Sequence, residues 1–299
     1  VGGAIPIMRP LHTCLAANDL YAVAGILNGT TNFILEKMFC DQMSFADALA
    51  LAQQLGYAER NPSADVDGAD ACRKICIISS LVFGKHVYPD SVFTKGIRDI
   101  QLEDVKLAQQ LGGTVKLIAQ VVREDDGKIL PTVMPMVVMQ DSLLSHVNGV
   151  FNAIMVWGDG IDKTMFYGRG AGEFPTASAV VGDLFEIVRN IQANCCARIG
   201  CTCYKELPVK KMADTCNRYF MRLIVEDRCG VLAEMTAVFA KYGVSVAQII
   251  QKAARDEGSA EVVVITAKVR EGDFRTAMEE LSGRSSVRKI SSMLRVYGE

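Results

Sequence analysis

A chain of 299 residues is long enough for two domains of ordinary size. Half of its residues are apolar and 22% are charged, which is a globular composition and excludes a disordered or fibrous protein. The formal net charge of −2 argues against nucleic acid or an anionic membrane as a partner. No apolar run reaches the roughly 18 residues that a transmembrane helix needs, and we expect a cytoplasmic protein without a signal peptide.

The first two thirds of the chain predict helices followed by several strands. Helical periodicity predicts helices at residues 11–17, 32–38, 44–55, 71–83 and 104–111, and apolar or branched runs predict strands at 21–27, 114–122, 132–139 and 151–156. Ser44 and Asp47 have the spacing of a helix cap. The order predicts an α+β domain, an open mixed sheet with helices on one face.

An acidic loop before the helix at 71–83 carries the densest group of chemically useful side chains, namely Glu59, Asp65, Asp67, Asp70 and Lys74. Asp70 and Lys74 are four residues apart, which places them within reach of each other on one helix face. Carboxylates can bind a substrate ammonium, and a lysine held by an aspartate can exchange a proton with a substrate hydroxyl. On pattern alone, a solvated loop with one surface ion pair is the simpler interpretation.

Ten cysteines are present. Four of them lie in apolar periodic segments and are interpreted as buried small hydrophobes: Cys14, Cys40, Cys72 and Cys76. Four others lie close together in the sequence: Cys195, Cys196, Cys201 and Cys203. This second group could bind zinc, but it lacks the usual gaps of two to four residues within each ligand pair. Free thiols in a reducing cytoplasm are therefore the favoured interpretation.

The last third of the chain predicts a second domain. We expect a first domain at residues 1–205, a linker at 206–217 that carries no strong period, and a second domain at 218–299. Strands are predicted at 219–225, 244–251, 260–269 and 287–296. Residues 227–232 are predicted to open a helix that runs to about residue 242, and a second helix is predicted at 273–281. This order is βαββαβ, which is a ferredoxin-like arrangement.

Four motifs in the first two thirds of the chain resemble homoserine dehydrogenases, in the order that this family has them. The pattern L-G-Y-A-E-x-x-P-x-x-D-V-x-G-x-D-A-x-x-K at residues 55–74 resembles the family's substrate motif. The segments at 1–7, 25–35 and 166–180 resemble the entry to its catalytic domain, its substrate-side loop and helix, and the return to its nucleotide-binding domain.

This resemblance implies NAD(P)-dependent interconversion of L-homoserine and L-aspartate 4-semialdehyde, in threonine and methionine biosynthesis. Lys74 would exchange a proton with the substrate oxygen, and Asp70 would orient the Lys74 amine. Five residues would bind the substrate: Glu59, Asp65, Tyr57, Gly29 and Thr30. Asn61 stands where the family often has Asp.

The resemblance also implies a cofactor and a cation. A glycine-rich loop precedes an apolar helix, and NAD or NADP would contact Gly170, Ala171, Gly172 and Thr176. Residues from about 163 to 190 would return to the nucleotide-binding domain. No G-x-G-x-x-G motif follows an early strand. We therefore expect this chain to lack that domain, to leave the apolar face of the helix exposed or disordered, and not to turn over alone. Backbone carbonyls of Val1, Gly3 and Ile5 would hold a monovalent cation, although a glycine hinge explains this segment equally well.

The predicted second domain resembles an ACT domain, a sensor of amino acids. By this resemblance the effector would contact six residues: Asp227, Gly230, Val231, Leu232, Ser245 and Gln248. The resemblance implies L-threonine as the effector. It also implies a homo-oligomer, either a dimer or a tetramer. Cys229 replaces the family's usual Pro, and a domain used only for oligomerisation remains an alternative. A non-catalytic, amino-acid-binding regulatory subunit is the alternative for the whole chain.

Overall fold

The computed structural model of the protein describes residues 1–195, 200–253 and 258–298. It forms two compact units, and neither is one continuous stretch of the chain. Unit 1 comprises Val1–Asp99, Lys116–Met134 and His146–Val209, and unit 2 comprises Ile100–Val115, Pro135–Ser145 and Lys210–Glu299. Each unit has its own strands and helices, and each is described separately below.

The helices are α1 (Met8–His12), α2 (Gly29–Cys40), α3 (Phe45–Gln54), α4 (Ser63–Val66), α5 (Ala69–Phe83), α6 (Leu102–Gln110), α7 (Glu173–Gln192), α8 (Val231–Lys241) and α9 (Glu271–Ser282). The strands are β1 (Leu20–Ile26), β2 (Phe93–Thr94), β3 (Gly113–Arg123), β4 (Ile129–Met139), β5 (Phe151–Gly158), β6 (Asp162–Arg169), β7 (Cys216–Glu226), β8 (Val246–Ala253), β9 (Ser259–Thr266), β10 (Val269–Arg270) and β11 (Val287–Tyr297). Across the three described stretches, no helix is long and apolar enough to cross a membrane.

In unit 1, strand β1 lies between two antiparallel neighbours. Val23 of β1 pairs with Val121 of β3 on one side and with Val156 of β5 on the other. β5 continues into an antiparallel hairpin with β6, and β2 runs parallel to β4. The sheet is therefore mixed, as predicted. Its strand β1 leads directly into α2, which carries one side of the candidate active site.

Two of the helices that form this site, α2 and α5, begin at residues suited to helix starts. Asn28 caps α2, because its side chain accepts a hydrogen bond from the Thr31 N–H at 2.9 Å. α2 therefore begins at Gly29, three residues before its predicted start. α5 follows Gly68, whose φ of +83° is accessible to glycine at little cost. One face of α5 is buried, and Asp70 and Lys74 lie on its more open side.

In unit 2 the strands and helices follow the predicted βαββαβ order. The antiparallel strand order is β11-β7-β9-β8, and the last residues of β11 also pair in parallel with β4, where Arg295 opposes Met136. α8 and α9 contribute to a core whose buried members include Leu223, Met235, Phe239 and Val262. The α+β class with a mixed sheet and a ferredoxin-like second part is confirmed.

Some local predictions are confirmed and others are wrong. The α3 cap is confirmed, because Ser44 Oγ accepts the Asp47 N–H at 3.1 Å. The sequence does not predict strand β6, because its polar and half-exposed residues have no clear alternation. α1 lies at Met8–His12 rather than at 11–17. Cys72 and Cys76 are buried as predicted, whereas Cys14 and Cys40 are exposed because each lies at or beyond the end of a helix.

Within the described part of the chain, helix α7 has no buried residue along its 20 positions. Its apolar side chains lie at the surface, among them Phe174, Val180, Leu184, Phe185 and Ile191. Phe174 is 81% exposed and Ile191 is 72% exposed. This agrees with the expectation that the apolar face of this helix is uncovered in the chain.

Candidate active site

Asn28 joins the two carboxylates at the centre of the site. It is 5% exposed, and its Nδ2 donates to Asp65 Oδ1 at 2.7 Å and to Asp70 Oδ2 at 2.9 Å. The Oδ1 of the same amide accepts the Thr31 N–H. One side chain therefore caps α2 and holds the acidic residues of α4 and α5 together. The sequence places Asn28 only in a turn; its position before Gly29 indicates a cap, but the bridge requires the tertiary fold.

Lys74 lies one helical turn after Asp70, as its spacing predicts. The Lys74 Nζ is 2.7 Å from Asp70 Oδ2 and donates to the Leu27 carbonyl at 2.9 Å. The side chains of this pair are 23% and 30% exposed, so both are reachable from solvent but partly desolvated. An ammonium has three N–H donors, and these contacts use two of them. The third N–H of Lys74 has no partner among the described residues, so it is available for an oxygen of a bound molecule.

Asp65 lies in an environment that disfavours its ionised form. Burial raises its pKa above the ordinary value of 3.8, and the Asp70 and Glu59 carboxylates raise it further. The hydrogen bond from Asn28 and the charge of Lys74 oppose this shift without cancelling it. The ionised site therefore carries more negative charge than its own groups neutralise. A bound cationic group would relieve this excess.

Asp67 does not join this cluster, although it belongs to the same acidic loop. Arg98 donates to both of its carboxylate oxygens and to Ser63 Oγ at 3.1 Å. The hydrogen bond from Arg98 lowers the pKa of Asp67. Asn61 has a local contact, since its Oδ1 accepts the Ser63 N–H at 3.3 Å. The structure thus separates the loop into a neutralised part and an uncompensated part.

The remaining predicted substrate residues surround the cluster in different ways. Thr30 Oγ1 donates to the Tyr57 carbonyl at 2.6 Å, which ties α2 to the loop after α3. The Tyr57 ring packs edge-on against Phe33, with ring centroids 5.0 Å apart, and is 43% exposed. A Cβ at Gly29 would lie 2.6 Å from a backbone carbonyl, so this close approach requires glycine.

Glu59 is at the edge of the site. It is exposed, and its backbone carbonyl accepts a hydrogen bond from Gln53 Nε2 at 3.0 Å. Its carboxylate is near enough to Asp65 to raise the pKa of that residue. The structure therefore places Glu59 beside the cluster, where its charge acts on the same region.

A buried lysine packs against α2. Lys116 is 2% exposed, and its Nζ donates to Asn32 Oδ1 at 3.1 Å and to the Val147 carbonyl at 2.6 Å. Burial lowers its pKa to about 8. Asn32 Nδ2 in turn donates to the same Val147 carbonyl at 3.0 Å. Sequence reasoning missed this role, because a lysine in a strand gives no indication of burial.

The predicted cofactor loop lies at the start of α7. Gly172 has a φ of +124° and precedes the helix, and the Thr176 N–H donates to its carbonyl at 3.0 Å. A groove of about 520 Å³ opens here, lined by Arg169, Ala171, Gly172, Glu173, Phe174, Pro175 and Ser178. Two of the four predicted cofactor residues, Ala171 and Gly172, line the groove, whereas Gly170 and Thr176 do not.

The N-terminal segment packs against this loop. The Ala4 N–H donates to the Arg169 carbonyl at 3.0 Å, and a Cβ on Gly3 would collide with the Gly170 backbone. The Ile5 carbonyl already accepts the Ile7 N–H at 2.8 Å. The predicted cation residues and the predicted cofactor loop are therefore neighbours.

Unit 2 has a hollow in the region of the predicted effector residues. It measures about 400 Å³ and is lined by residues 225–232 and by Gln251. Four of the six predicted residues belong to this lining, and Gly230, with a φ of +91°, precedes α8 there. Ser245 and Gln248 are not among the lining residues. Gln251, which the sequence does not single out, is contributed by strand β8.

Comparisons with known proteins agree with both parts of this description. The sequence model of the homoserine dehydrogenase family matches residues 6–185, and that of the ACT domain matches residues 219–284. A curated homoserine dehydrogenase from Synechocystis sp. is 42% identical over 304 residues, covering 99% of this chain and 70% of that protein.

Solved structures give the same result. The crystal structure of a homoserine dehydrogenase from Thiobacillus denitrificans aligns with a TM-score of 0.92 at 33% identity, over 99% of this chain and 68% of that one. A hyperthermophilic archaeal homoserine dehydrogenase mutant, solved in complex with NADPH, aligns with a TM-score of 0.54 at 30% identity, over 64% of this chain and 54% of that one. The chain therefore belongs to the homoserine dehydrogenase family and carries an ACT domain.

Proposed function

We propose that the protein interconverts L-homoserine and L-aspartate 4-semialdehyde with a nicotinamide cofactor. The observation that carries this proposal is the cluster of Asn28, Asp65, Asp70 and Lys74, in which one lysine amine lies beside two carboxylates and forms an ion pair with only one of them, Asp70. This combination suits a substrate that has both an ammonium group and a reacting hydroxyl. The family assignment supports the oxidoreductase class.

The residues have distinct roles in the proposed reaction. Asp65 accepts hydrogen bonds from the substrate ammonium, with the charge of Glu59 nearby. As an ammonium, Lys74 directs its third N–H at the substrate oxygen and donates a proton when the aldehyde is reduced. As the neutral amine, it takes the proton of the substrate hydroxyl when the alcohol is oxidised. Asp70 and the Leu27 carbonyl fix the position of the Lys74 amine. Asn28 keeps the two carboxylates at a constant separation.

The groove at the start of α7 fits one part of a nicotinamide cofactor. Flexible glycines precede a helix N-terminus there, and such termini favour negatively charged groups. Ala171 and Gly172 line the groove, and we propose that Gly170 and Thr176 contribute from beside it. When bound, the cofactor supplies or accepts the hydride. The archaeal relative solved with NADPH supports this choice of cofactor class.

A monovalent cation near the N-terminal segment is a secondary proposal. Asn152 is fully buried, and neither Nδ2 nor Oδ1 of its amide has a hydrogen-bond partner among the described residues. The amide lies against Gly170, whose carbonyl adjoins Gly3. An unsatisfied amide oxygen beside backbone carbonyls is a suitable donor set for a cation, together with the Val1, Gly3 and Ile5 carbonyls.

The ACT domain is proposed to bind an amino acid and to regulate the enzyme. The hollow beside Gly230 combines backbone groups of a loop with the N-terminus of α8, which suits the carboxylate of an amino acid. L-threonine is the proposed effector, and a homo-oligomer the proposed assembly. This would place the reaction in threonine and methionine biosynthesis.

The test is homoserine-dependent reduction of NAD and NADP by the full-length gene product, with and without L-threonine. We expect activity, and we expect L-threonine to suppress it. Activity that ignores L-threonine would support the enzyme but contradict the effector. Absence of activity with both cofactors would contradict the proposed reaction and favour a regulatory subunit.

A further inference from the structure

Three side chains that can bind a metal lie together in unit 1, outside the candidate active site. His86, Cys201 and Cys203 each offer one ligand atom, and these atoms all lie within 4.8 Å of one another. His86 follows the end of α5, whereas the two cysteines follow α7. Local sequence spacing cannot explain the group, because the fold brings two distant segments together.

The backbone holds the cysteine segment in place. The Lys205 N–H donates to the Gly84 carbonyl at 2.8 Å, and the Cys203 thiol donates to the Ser80 carbonyl at 3.4 Å. Gly84 ends α5 with a φ of +62°, and a Cβ there would lie 2.9 Å from the Thr202 carbonyl. The segment is therefore fitted closely to the end of α5.

The histidine is also positioned by its neighbours. The Val87 N–H donates to Ser80 Oγ at 3.0 Å, which fixes the chain immediately after His86. The His86 ring stacks on Tyr88, with ring centroids 6.2 Å apart and an interplanar angle of 28°. The imidazole and the two thiols are thus presented from two segments that contact each other.

Two thiolates and an imidazole form a ligand set that zinc prefers. Zinc lies about 2.3 Å from sulfur and about 2.0 Å from imidazole nitrogen, so small side-chain rotations would bring the three atoms around one ion. The spacing of the cysteines in the sequence argues against a zinc site. That argument considers only the cysteines, whereas the structure adds a histidine that follows α5. Cys195 is not in the group, and Cys196 lies outside the described residues.

We propose that His86, Cys201 and Cys203 bind one Zn²⁺ ion, with water at the fourth tetrahedral position. On binding, the two thiols release their protons to solvent, and the bond from Cys203 to zinc replaces its hydrogen bond to the Ser80 carbonyl. The ion would fasten the segment after α7 to the carboxyl end of α5. Lys74 lies on α5 well before its C-cap Gly84, at a distance of about 15 Å along the helix axis. The site is therefore separate from the candidate catalytic cluster.

The test is metal binding by the purified protein, stripped with a chelator and kept reduced with a phosphine. Zn²⁺ is titrated against a chromogenic chelator, and Co²⁺ is used as a spectroscopic probe of thiolate coordination. We expect one ion per chain and the absorption of tetrahedral Co²⁺–thiolate. The Cys201→Ser/Cys203→Ser variant should bind at least about 100-fold more weakly, since loss of even an outer-shell partner costs about 10- to 100-fold.

The matched control is Cys216→Ser/Cys229→Ser, which removes two exposed cysteines elsewhere and should bind zinc like the parent. His86→Asn keeps both thiols, so it should retain a Co²⁺–thiolate band while binding more weakly. Circular dichroism of the metal-free proteins checks that the variants fold. A parent that binds no zinc, or a Cys201/Cys203 variant that binds it as the parent does, would overturn the proposal.

Discussion

Two clusters of charged side chains, one in each unit, contain similar residues but differ in how fully they are neutralised. In unit 2, Arg222 of β7 donates to Asp104 of α6 at 2.8 Å and to Glu261 of β9 at 3.1 Å, and the Arg222 and Asp104 side chains are 6% and 0% exposed. In unit 1, Lys74 and Asp70 form a pair that is 23% and 30% exposed.

The difference separates a cluster whose charges are fully paired from one that has hydrogen-bonding capacity to spare. Arg222 also donates to the Gln101 side chain, so its guanidinium is occupied by three partners. Burial raises the pKa of Asp104, and the Gln101 backbone N–H and Arg222 oppose that shift. In the active-site cluster, by contrast, Lys74 has an N–H to spare and Asp65 forms no ion pair within the described stretches of the chain. A cluster that is incomplete and reachable is suited to a ligand.

The largest effect is expected from breaking the buried cluster. Arg222→Ala leaves Asp104 buried without its partner and should lower the free energy of unfolding by about 3–5 kcal/mol. Urea unfolding measures this loss. Arg270→Ala is the control, because its pair with Asp214 is 55% and 49% exposed and should contribute little to stability. Equal losses in the two variants would contradict the distinction.

The next effect is on turnover by the full-length gene product. Lys74→Ala removes the proposed proton-transfer group and should lower kcat by about 10² or more. Lys37→Ala is a matched control, since Lys37 also forms an i,i+4 pair, 2.8 Å from Asp41, on a helix of unit 1. Initial rates with L-homoserine measure kcat in both variants. An unchanged kcat in Lys74→Ala would remove this lysine from the mechanism.

A smaller effect is expected from Asn28→Ala. Loss of the α2 cap should cost about 1 kcal/mol of stability, and loss of the bridge between Asp65 and Asp70 should raise KM for homoserine. Ser44→Ala removes the cap of α3 at a similar cost but touches neither carboxylate. A KM that rises equally in both variants would show that the bridge has no role in substrate binding.

The smallest effect concerns Asp65 and pH. The pKa of Asp65 in the folded state is raised above 3.8, so folding favours its protonated form. As pH rises from 3.8 through the folded-state pKa, the ionisation of Asp65 therefore lowers the free energy of unfolding. Asp65→Asn cannot ionise. The variant should therefore be more stable than the parent at neutral pH, and this gain should vanish below the ordinary pKa of 3.8. Thermal unfolding of the parent and the variant, at neutral pH and below pH 3.8, measures this gain. A variant that is less stable than the parent at neutral pH would contradict the prediction.

Local patterns in the sequence are enough to predict most of the fold. The cap at Ser44, the helix start after Gly68, the period of α5 and the βαββαβ order each depend on residues close together in the chain. The hairpin of β5 and β6 is missed because β6 has no alternating pattern of burial, and its pairing is decided by its neighbour.

The site can be predicted only in part, for the same reason. The contact of Asp70 with Lys74 follows from helical spacing, but the choice between Asp65 and Asp67 does not. Asp67 is neutralised by Arg98, which is 31 positions away, and Asp65 is bridged by Asn28, which is 37 positions away. The buried Lys116 and the grouping of a histidine with two cysteines are likewise products of tertiary structure.

The most direct test of the central claim compares L-homoserine with 4-hydroxybutanoate, which lacks the ammonium group. Binding of both is measured by calorimetry to the parent, to Asp65→Asn and to Asp67→Asn. A charged hydrogen bond contributes about 1.5–3 kcal/mol, so the parent and Asp67→Asn should prefer L-homoserine by about 10- to 100-fold. Asp65→Asn should lose most of this preference. If Asp65→Asn keeps the preference, or if Asp67→Asn loses it, the cluster does not recognise the substrate ammonium as proposed.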